Sequence, residues 1–351
     1  MQISPLNILV FGAGAIGTYI GGSLALAGHN LTFIEQPAVA EVLRQRGLKL
    51  DLSVDKRRVE RSRFTIRDLN VLDSLEFALA STQFDVAIFA LKSFDTLPAL
   101  ETLKVFYEAL PPVLCLQNGV DNEPAIAAVL GADKVIYGTV TSAVGRGGPG
   151  EITLEKLRGV GVADGHPLSA RLVEALDGAF LNCRLFLNAD EMKWSKLLTN
   201  LLANPTSAIL NMTAAEIYAH PGLYRLEIEQ LRECLAVMQA QGLNPVDLPG
   251  TPVRLLALAT RLPTWLSKPF LSKAAGAGRG AKMPSFHIDL YAGRTRSEVT
   301  YLHGAVVRAG EKLGIPTPVN KLLTETLLAL SERRIPLEEY AHQPQKLLNQ
   351  L

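Results

Sequence analysis

Residues 7–17, NILVFGAGAIG, limit what this chain can fold into more than any other stretch. Residues 7–11 form a short continuous apolar run, the mark of a strand buried on both faces. Gly12-Ala13-Gly14-Ala15-Ile16-Gly17 follows at once, and residues 16–27 then carry a helical apolar period that Gly28 closes. The order strand, G-x-G-x-x-G, helix is the context that makes this motif specific. Gly12 permits the tight turn, and Gly14 lets backbone approach a pyrophosphate. Gly17 lets the helix pack on the strand, so that the helix N-terminus faces the anion. The expectation is a parallel α/β domain holding a dinucleotide on residues Gly12, Ala13, Gly14, Ala15, Ile16 and Gly17. The plain structural alternative is a glycine-rich turn that binds nothing.

The second strand, residues 31–34, ends at Glu35-Gln36. An acidic residue about 20 positions after the glycines accepts hydrogen bonds from ribose hydroxyls and repels a 2′-phosphate. Glu35 therefore leans the chain towards NAD(H), although Arg44 and Arg46 lie one helix further on and could reach a phosphate. Strands at residues 86–91 and 113–116 are followed by Lys92 and by Gln117-Asn118. Ligands on open parallel sheets bind beyond the carboxyl ends of strands, so Lys92 and Asn118 are placed to reach cofactor or substrate. Residues 48–66 read as a small β insertion, with residues 55–63 as a solvated hairpin. Residues 145–150 read as a loop and 151–162 as a hairpin. A helix near 167–176 and a strand near 183–187 complete a domain of residues 1–188.

Residues 189–351 read as helical. In residues 190–210 (DEMKWSKLLTNLLANPTSAIL) Lys196, Asn200 and Asn204 recur at i, i+4 and i+8 among apolar neighbours. On one helix that spacing gives a single polar face. Two asparagines are weak helix formers, and Pro205 removes a backbone donor, so a kink is expected where Asn204 projects. A solvated edge is the bland interpretation. The sharper one is a wall that holds a small oxygen-rich molecule with one lysine and two carboxamides. Residues 297–313 read as one helix in which Ser297 caps and Glu298 sits in the first turn, where a carboxylate is favoured by the helix dipole alone. The tail from residue 338 is polar and is expected to fray.

Composition narrows the partners. At 351 residues two cores are expected, and 35 basic against 34 acidic residues give a net charge of +1. Neither a nucleic-acid nor a membrane partner is indicated. Cys115, Cys183 and Cys234 are widely spaced, the pattern of free thiols in a reducing compartment, and no metal-ligand spacing occurs. No apolar run approaches a membrane span and the N-terminus moves straight into a strand, so a cytoplasmic protein is expected.

The chain resembles the ketopantoate reductase (2-dehydropantoate 2-reductase) family over roughly residues 7–330. The resemblance rests on GAGAIG at 12–17, ALKSFDT at 90–96, LQNG at 116–119, WSKLLTNLLANP at 194–205 and PSFHIDLYAGRTRSEVTYLHG at 284–304. It implies a Rossmann domain followed by an all-α C-terminal domain, with the active site in the interdomain cleft. It implies that Lys196 is the general acid, that Asn200, Asn204 and Ser285 hold substrate, and that Glu298 contacts both cofactor and substrate. Lys92 and Asn118 become cofactor contacts, with Asn118 also near the substrate. The implied reaction is NAD(P)H-dependent reduction of the C2 carbonyl of a branched 2-oxo acid, ketopantoate to pantoate, as in pantothenate and coenzyme A biosynthesis. A homodimer is compatible with that reading. The family default is NADP(H), whereas Glu35 favours NAD(H). Lys282 in place of an asparagine, one extra residue between Ser285 and Glu298, and an insertion at 252–273 depart from the family pattern. Two alternatives are a β-hydroxyacid dehydrogenase of the 6-phosphogluconate type and a dinucleotide-sensing regulator without turnover. The first wants a glycine-rich approach to the lysine, which DEMKWSK lacks. The second needs neither Lys196 nor Glu298.

Overall fold

Ile8 and Val10 join one hydrophobic cluster and Leu9 and Phe11 another. That alternation places β1 (Asn7–Phe11) in the middle of a sheet covered on both faces. In the computed structural model, which describes residues 4–263, 265–268 and 283–351, the chain divides into two units. The first takes Met1–Gln117, Asn122–Lys193 and Leu248–Thr251, and the second takes the remainder.

The first unit runs β1, α1 (Ala15–Leu26), β2 (Asn30–Ile34), α2 (Pro37–Arg46), β3 (Leu48–Asp51), β4 (Arg63–Ile66), β5 (Asn70–Leu72) and α3 (Leu75–Ser81). It continues with β6 (Val86–Phe89), α4 (Thr96–Leu103), β7 (Val113–Cys115), α5 (Asn122–Leu130), β8 (Val135–Val140) and β9 (Ala143–Gly148). The last elements are β10 (Glu151–Lys156), β11 (Val160–Ala163), α6 (Ser169–Gly178) and β12 (Cys183–Phe186). Eight strands form one sheet in the order β12-β11-β8-β7-β6-β1-β2-β5. The strands from β5 to β8 are mutually parallel, and β11 runs antiparallel to β8. The order reverses between β1 and β6, the topological switch point at which such sheets bind ligands. Phe11 and Phe89 meet there edge-to-face at 4.9 Å.

A second sheet has the order β4-β3-β10-β9. Here the sequence expectations need correction. Residues 145–150 are not a loop, because residues 143–148 form β9. Residues 151–162 are not a hairpin: β10 pairs with β9 and β3, whereas β11 joins the large sheet. Alternation reports β10 and β11 but not their partners, and the glycine-rich β9 carries no alternation to report. Residues 55–63 are not wholly solvated either. Asp55 is 3% exposed and takes Arg57 at 2.8 Å and Arg58 at 3.5 Å.

The second unit is helical among the described residues. It contains α7 (Ala189–Leu201), of which residues 194–201 belong to this unit, α8 (Asn204–Leu210), α9 (Ala214–Ala219), α10 (Pro221–Ala240) and α11 (Val253–Arg261). It then runs through α12 (Ser285–Tyr291), a 3-10 turn (Glu298–Tyr301), α13 (His303–Leu313), α14 (Pro318–Ser331) and α15 (Pro344–Leu348). The middle helix is α10, which packs on α9, α11, α13, α14 and α15. His220 caps its start by accepting from Leu223 N, Pro221 fills the first position, and Gly242 follows its end with φ +73°. The tail does not fray: Leu347 is fully buried and His342 N donates to Leu210 O at 2.7 Å. Lys282, the glycine-rich 274–280 and residues 264 and 269–273 of the insertion lie outside the described residues. No helix among the described residues is long and apolar enough to cross a membrane.

Candidate active site

In the first unit the glycine loop has the geometry its sequence requires. Gly12 has φ +92°, and a side chain on Gly17 would put Cβ 1.8 Å from Gly12 O. Only glycine lets α1 start so close to β1. Gly14 is the N-cap of α1, and a Cβ there would meet nothing within 4 Å. No side chain caps α1 and no acid lies in its first turn. An uncapped helix N-terminus with its orphan N–H groups and positive dipole end suits a pyrophosphate. The carboxylate of Glu35, at the end of β2, accepts a hydrogen bond from Ala13 N. It therefore sits beside the loop, where a ribose hydroxyl or a 2′-phosphate would be read. Arg44 is committed elsewhere: its Nε donates to Val71 O at 3.0 Å, and its guanidinium pairs with Asp73 at 3.4 Å and Glu41 at 3.6 Å.

Lys92 follows the end of β6 and is half-buried. Its turn is braced from below. Gln117 Nε2 donates to Leu91 O (3.1 Å), Lys92 O (3.3 Å) and Thr96 Oγ1 (2.9 Å), and Thr96 Oγ1 donates to Asn122 Oδ1 at 2.9 Å. Gln117 is fixed in turn by a buried ion pair. Lys193 (2% exposed) lies 2.5 Å from Glu123 (0% exposed) and donates to Gln117 O at 2.8 Å and Gly138 O at 3.2 Å. Burial pushes the Glu123 carboxyl up, and the Lys193 ammonium opposes that rise. Burial also drives the neighbouring Cys115 thiol well above its ordinary range, so it stays a thiol. Gln117 and the Lys193–Glu123 pair escaped the sequence analysis. A lysine three residues before Lys196 looks like one more polar residue until its surroundings are known.

In the second unit Lys196 and Asn200 share the last turns of α7. Lys196 Nζ donates to Asn200 Oδ1 at 2.8 Å, and Asn200 Nδ2 donates to Asn118 Oδ1 at 3.1 Å. The ammonium fixes which way the Asn200 amide faces, because only its oxygen can accept from a lysine. Asn204 does not continue the stripe on the same helix. The chain leaves α7 after Leu201, Ala203 turns left-handed (φ 52°, ψ 11°), and α8 begins at Asn204 with Pro205 behind it. For an alanine that conformation costs about 1–2 kcal/mol.

Asn204 is 4% exposed and its carboxamide is held by protein partners. Its Oδ1 accepts from Phe286 N at 3.1 Å and faces Ser285 Oγ at 3.5 Å, while Nδ2 donates to Asn200 O at 3.3 Å. Asn204 thus caps α12 and brings exposed Ser285 to the α7–α8 break. Glu298 is 7% exposed on the 3-10 turn, which packs on α13 and α14. Ser297 Oγ caps the turn by accepting from Val299 N at 3.2 Å. The continuous helix expected over 297–313 breaks at Leu302 (φ −109°, ψ −83°), and burial removes Glu298 from the class of solvated helix-dipole charges. The structure thus assembles candidates into two groups: the glycine loop with Glu35, and the chain Lys196–Asn200–Asn118 joined through Asn200 O to the pair Asn204–Ser285.

Comparison with known proteins shows the family. Residues 8–164 match the family described as ketopantoate reductase PanE/ApbA, and residues 188–331 match its C-terminal part. A 2-dehydropantoate 2-reductase of Streptococcus pyogenes is 24% identical over 92% of this chain and 97% of its own. The crystal structure of a PanE/ApbA family ketopantoate reductase from Ralstonia eutropha JMP134 superimposes with a TM-score of 0.77, at 25% identity, over 94% of this chain and 99% of that one. A D-mandelate dehydrogenase, in a ternary complex with NADH and anilino(oxo)acetate, has a TM-score of 0.74 at 21% identity over 93% and 99% of the two chains, a likeness of fold. The chain belongs to the ketopantoate reductase family and is an NAD(P)H-dependent oxidoreductase.

Proposed function

We propose that this protein reduces the C2 carbonyl of a branched 2-oxo acid, 2-dehydropantoate, to give pantoate. The observation that carries the reading is the hydrogen-bonded chain Lys196–Asn200–Asn118, which holds the ammonium in a fixed direction. The curated relatives it resembles bear that activity in their names. On this reading residues 1–188 serve the dinucleotide and residues 189–351 the 2-oxo acid.

The cofactor supplies the hydride. As negative charge grows on the carbonyl oxygen, Lys196 Nζ donates a hydrogen bond to it and then a proton. Asn200 holds the ammonium in line. Ser285 binds a substrate oxygen with its exposed hydroxyl, and Asn204 serves by fixing the first turn of α12 beneath that serine. Glu298 orients the substrate hydroxyl group and the nicotinamide ribose. Gly12–Gly17, Glu35, Lys92 and Asn118 hold the dinucleotide. Glu35 on the loop, with Arg44 committed to acids and a carbonyl, supports NADH use beyond the family default of NADPH.

The test is oxidation of NADH and of NADPH against a panel of 2-oxo acids with and without branching at C3. Ketopantoate should give the highest kcat/KM of the panel. A higher value for an unbranched or aromatic acid would assign a different substrate to the same chemistry.

A further inference from the structure

A buried polar cluster beneath the α7–α8 break has no place in the reaction as described. Glu227, on α10, is 0% exposed. Its Oε2 accepts from Ala203 N at 2.7 Å and from Gln230 Nε2 at 2.6 Å, and its Oε1 accepts from Thr206 Oγ1 at 2.6 Å. Gln230 Nε2 also donates to Leu201 O at 3.3 Å, and its Oε1 faces His303 Nε2 at 3.1 Å. Gln230 and His303 are both 0% exposed. With the Gln230 amide nitrogen donating to Glu227 and Leu201, its oxygen must accept, so His303 carries its proton on Nε2.

The cluster thus binds both sides of the break. Leu201 O is the end of α7, Ala203 N is the left-handed residue, and Thr206 is in the first turn of α8. A buried carboxylate is costly unless several donors face it, and here the donors belong to the segment whose course it sets. Ala203 has no glycine's freedom to take positive φ, so an outside hold is required.

We propose that Glu227 is a positioning residue for the reduction. It sets the offset between Lys196 and Asn200 on α7 and Asn204 on α8, and through Asn204 the place of Ser285. It touches neither substrate nor cofactor. This rests on the function proposed above. A displacement of the reacting groups by about 1 Å can cost roughly 100-fold in rate. Loss of the hold should therefore lower kcat while leaving dinucleotide binding unchanged.

Glu227→Gln tests this, since it keeps the volume and one acceptor but loses the second. Turnover is counted per cofactor-binding site, measured by NAD(P)H titration, so that unfolded protein does not enter. We expect kcat to fall about 10- to 100-fold, cofactor Kd to stay within about twofold, and the Ala203 amide to exchange at least tenfold faster with deuterium. Thr206→Val, a milder change that removes one donor, covers the case in which Glu227→Gln does not fold. It should lower kcat several-fold with the same unchanged Kd. A purely structural role predicts a lower melting temperature with kcat per site unchanged in both variants, and that result overturns the proposal. Unchanged exchange at Ala203 also overturns it, whatever the substrate. A wild-type protein inactive on every 2-oxo acid would instead remove the function reading, and Ala203 exchange would still decide whether Glu227 holds the break.

Discussion

At the scale of single residues, Glu35 and His303 show how position decides chemistry. The Glu35 carboxylate beside the glycine loop would stand close to a 2′-phosphate. Like charges about 4 Å apart repel by several kcal/mol at the effective dielectric near a protein surface. Glu35→Ala should tighten NADPH and weaken NADH, by removing the repulsion and the ribose acceptor together. Titration of both cofactors checks it, and unchanged or weaker NADPH binding would remove Glu35 from the ribose site. His303 is governed by burial, which lowers its imidazole from the ordinary 6.5 to about 3. Unfolded, it takes a proton near pH 6.5, whereas folded it stays neutral down to about pH 3. Acid therefore favours the unfolded chain: this share of stability is whole above pH 6.5 and falls away towards pH 3. By pH 4.5 the loss is about 3 kcal/mol. His303→Gln keeps the donor to Gln230 without the titration. Denaturant unfolding at pH 7.5 and 4.5 should show the wild type losing about that much more than the variant. Equal pH dependence in the two would contradict this account of His303.

At the scale of elements, Gly17 and Gly14 separate packing from binding. Gly17→Ala drives Cβ to 1.8 Å from Gly12 O, so α1 must shift. The variant should lose about 1–3 kcal/mol of stability as well as cofactor affinity. Gly14→Ala meets no atom within 4 Å and has an ordinary φ of −72°, so the free protein should keep its melting temperature. Its dinucleotide affinity should nevertheless fall, because the new methyl enters the space a pyrophosphate uses. Thermal unfolding with and without NAD(P)H distinguishes the two, and a Gly14→Ala protein that binds normally would place the pyrophosphate elsewhere. The glycine loop was legible in the sequence because all its constraints lie within eleven residues. The α7–α8 break was not. Pro205 announced a disturbance, but nothing local marks Ala203 as left-handed, since its hold is a carboxylate 24 positions away. Likewise nothing local in the sequence reveals that Asn204 holds Phe286 N, 82 positions on. The pairing of β10 failed for the same reason: pleat is local, but pairing is not.

At the scale of the whole molecule, the candidate residues are divided between the two units. One unit carries the glycine loop, Glu35 and Lys92, and the other carries Lys196, Asn200, Asn204, Ser285 and Glu298. The family resemblance located these residues, while their geometry came from contacts distant in sequence. The central claim is that Lys196 donates the proton in reduction of ketopantoate. Its most direct test is ketopantoate-dependent NAD(P)H oxidation, with pantoate measured as product, by wild type and Lys196→Ala at equal cofactor occupancy. The wild type should form one pantoate per cofactor oxidised, and the variant should turn over about 10²- to 10⁴-fold more slowly with its melting temperature and cofactor affinity retained. A folded, cofactor-loaded Lys196→Ala protein that reduces ketopantoate at the wild-type rate would contradict it.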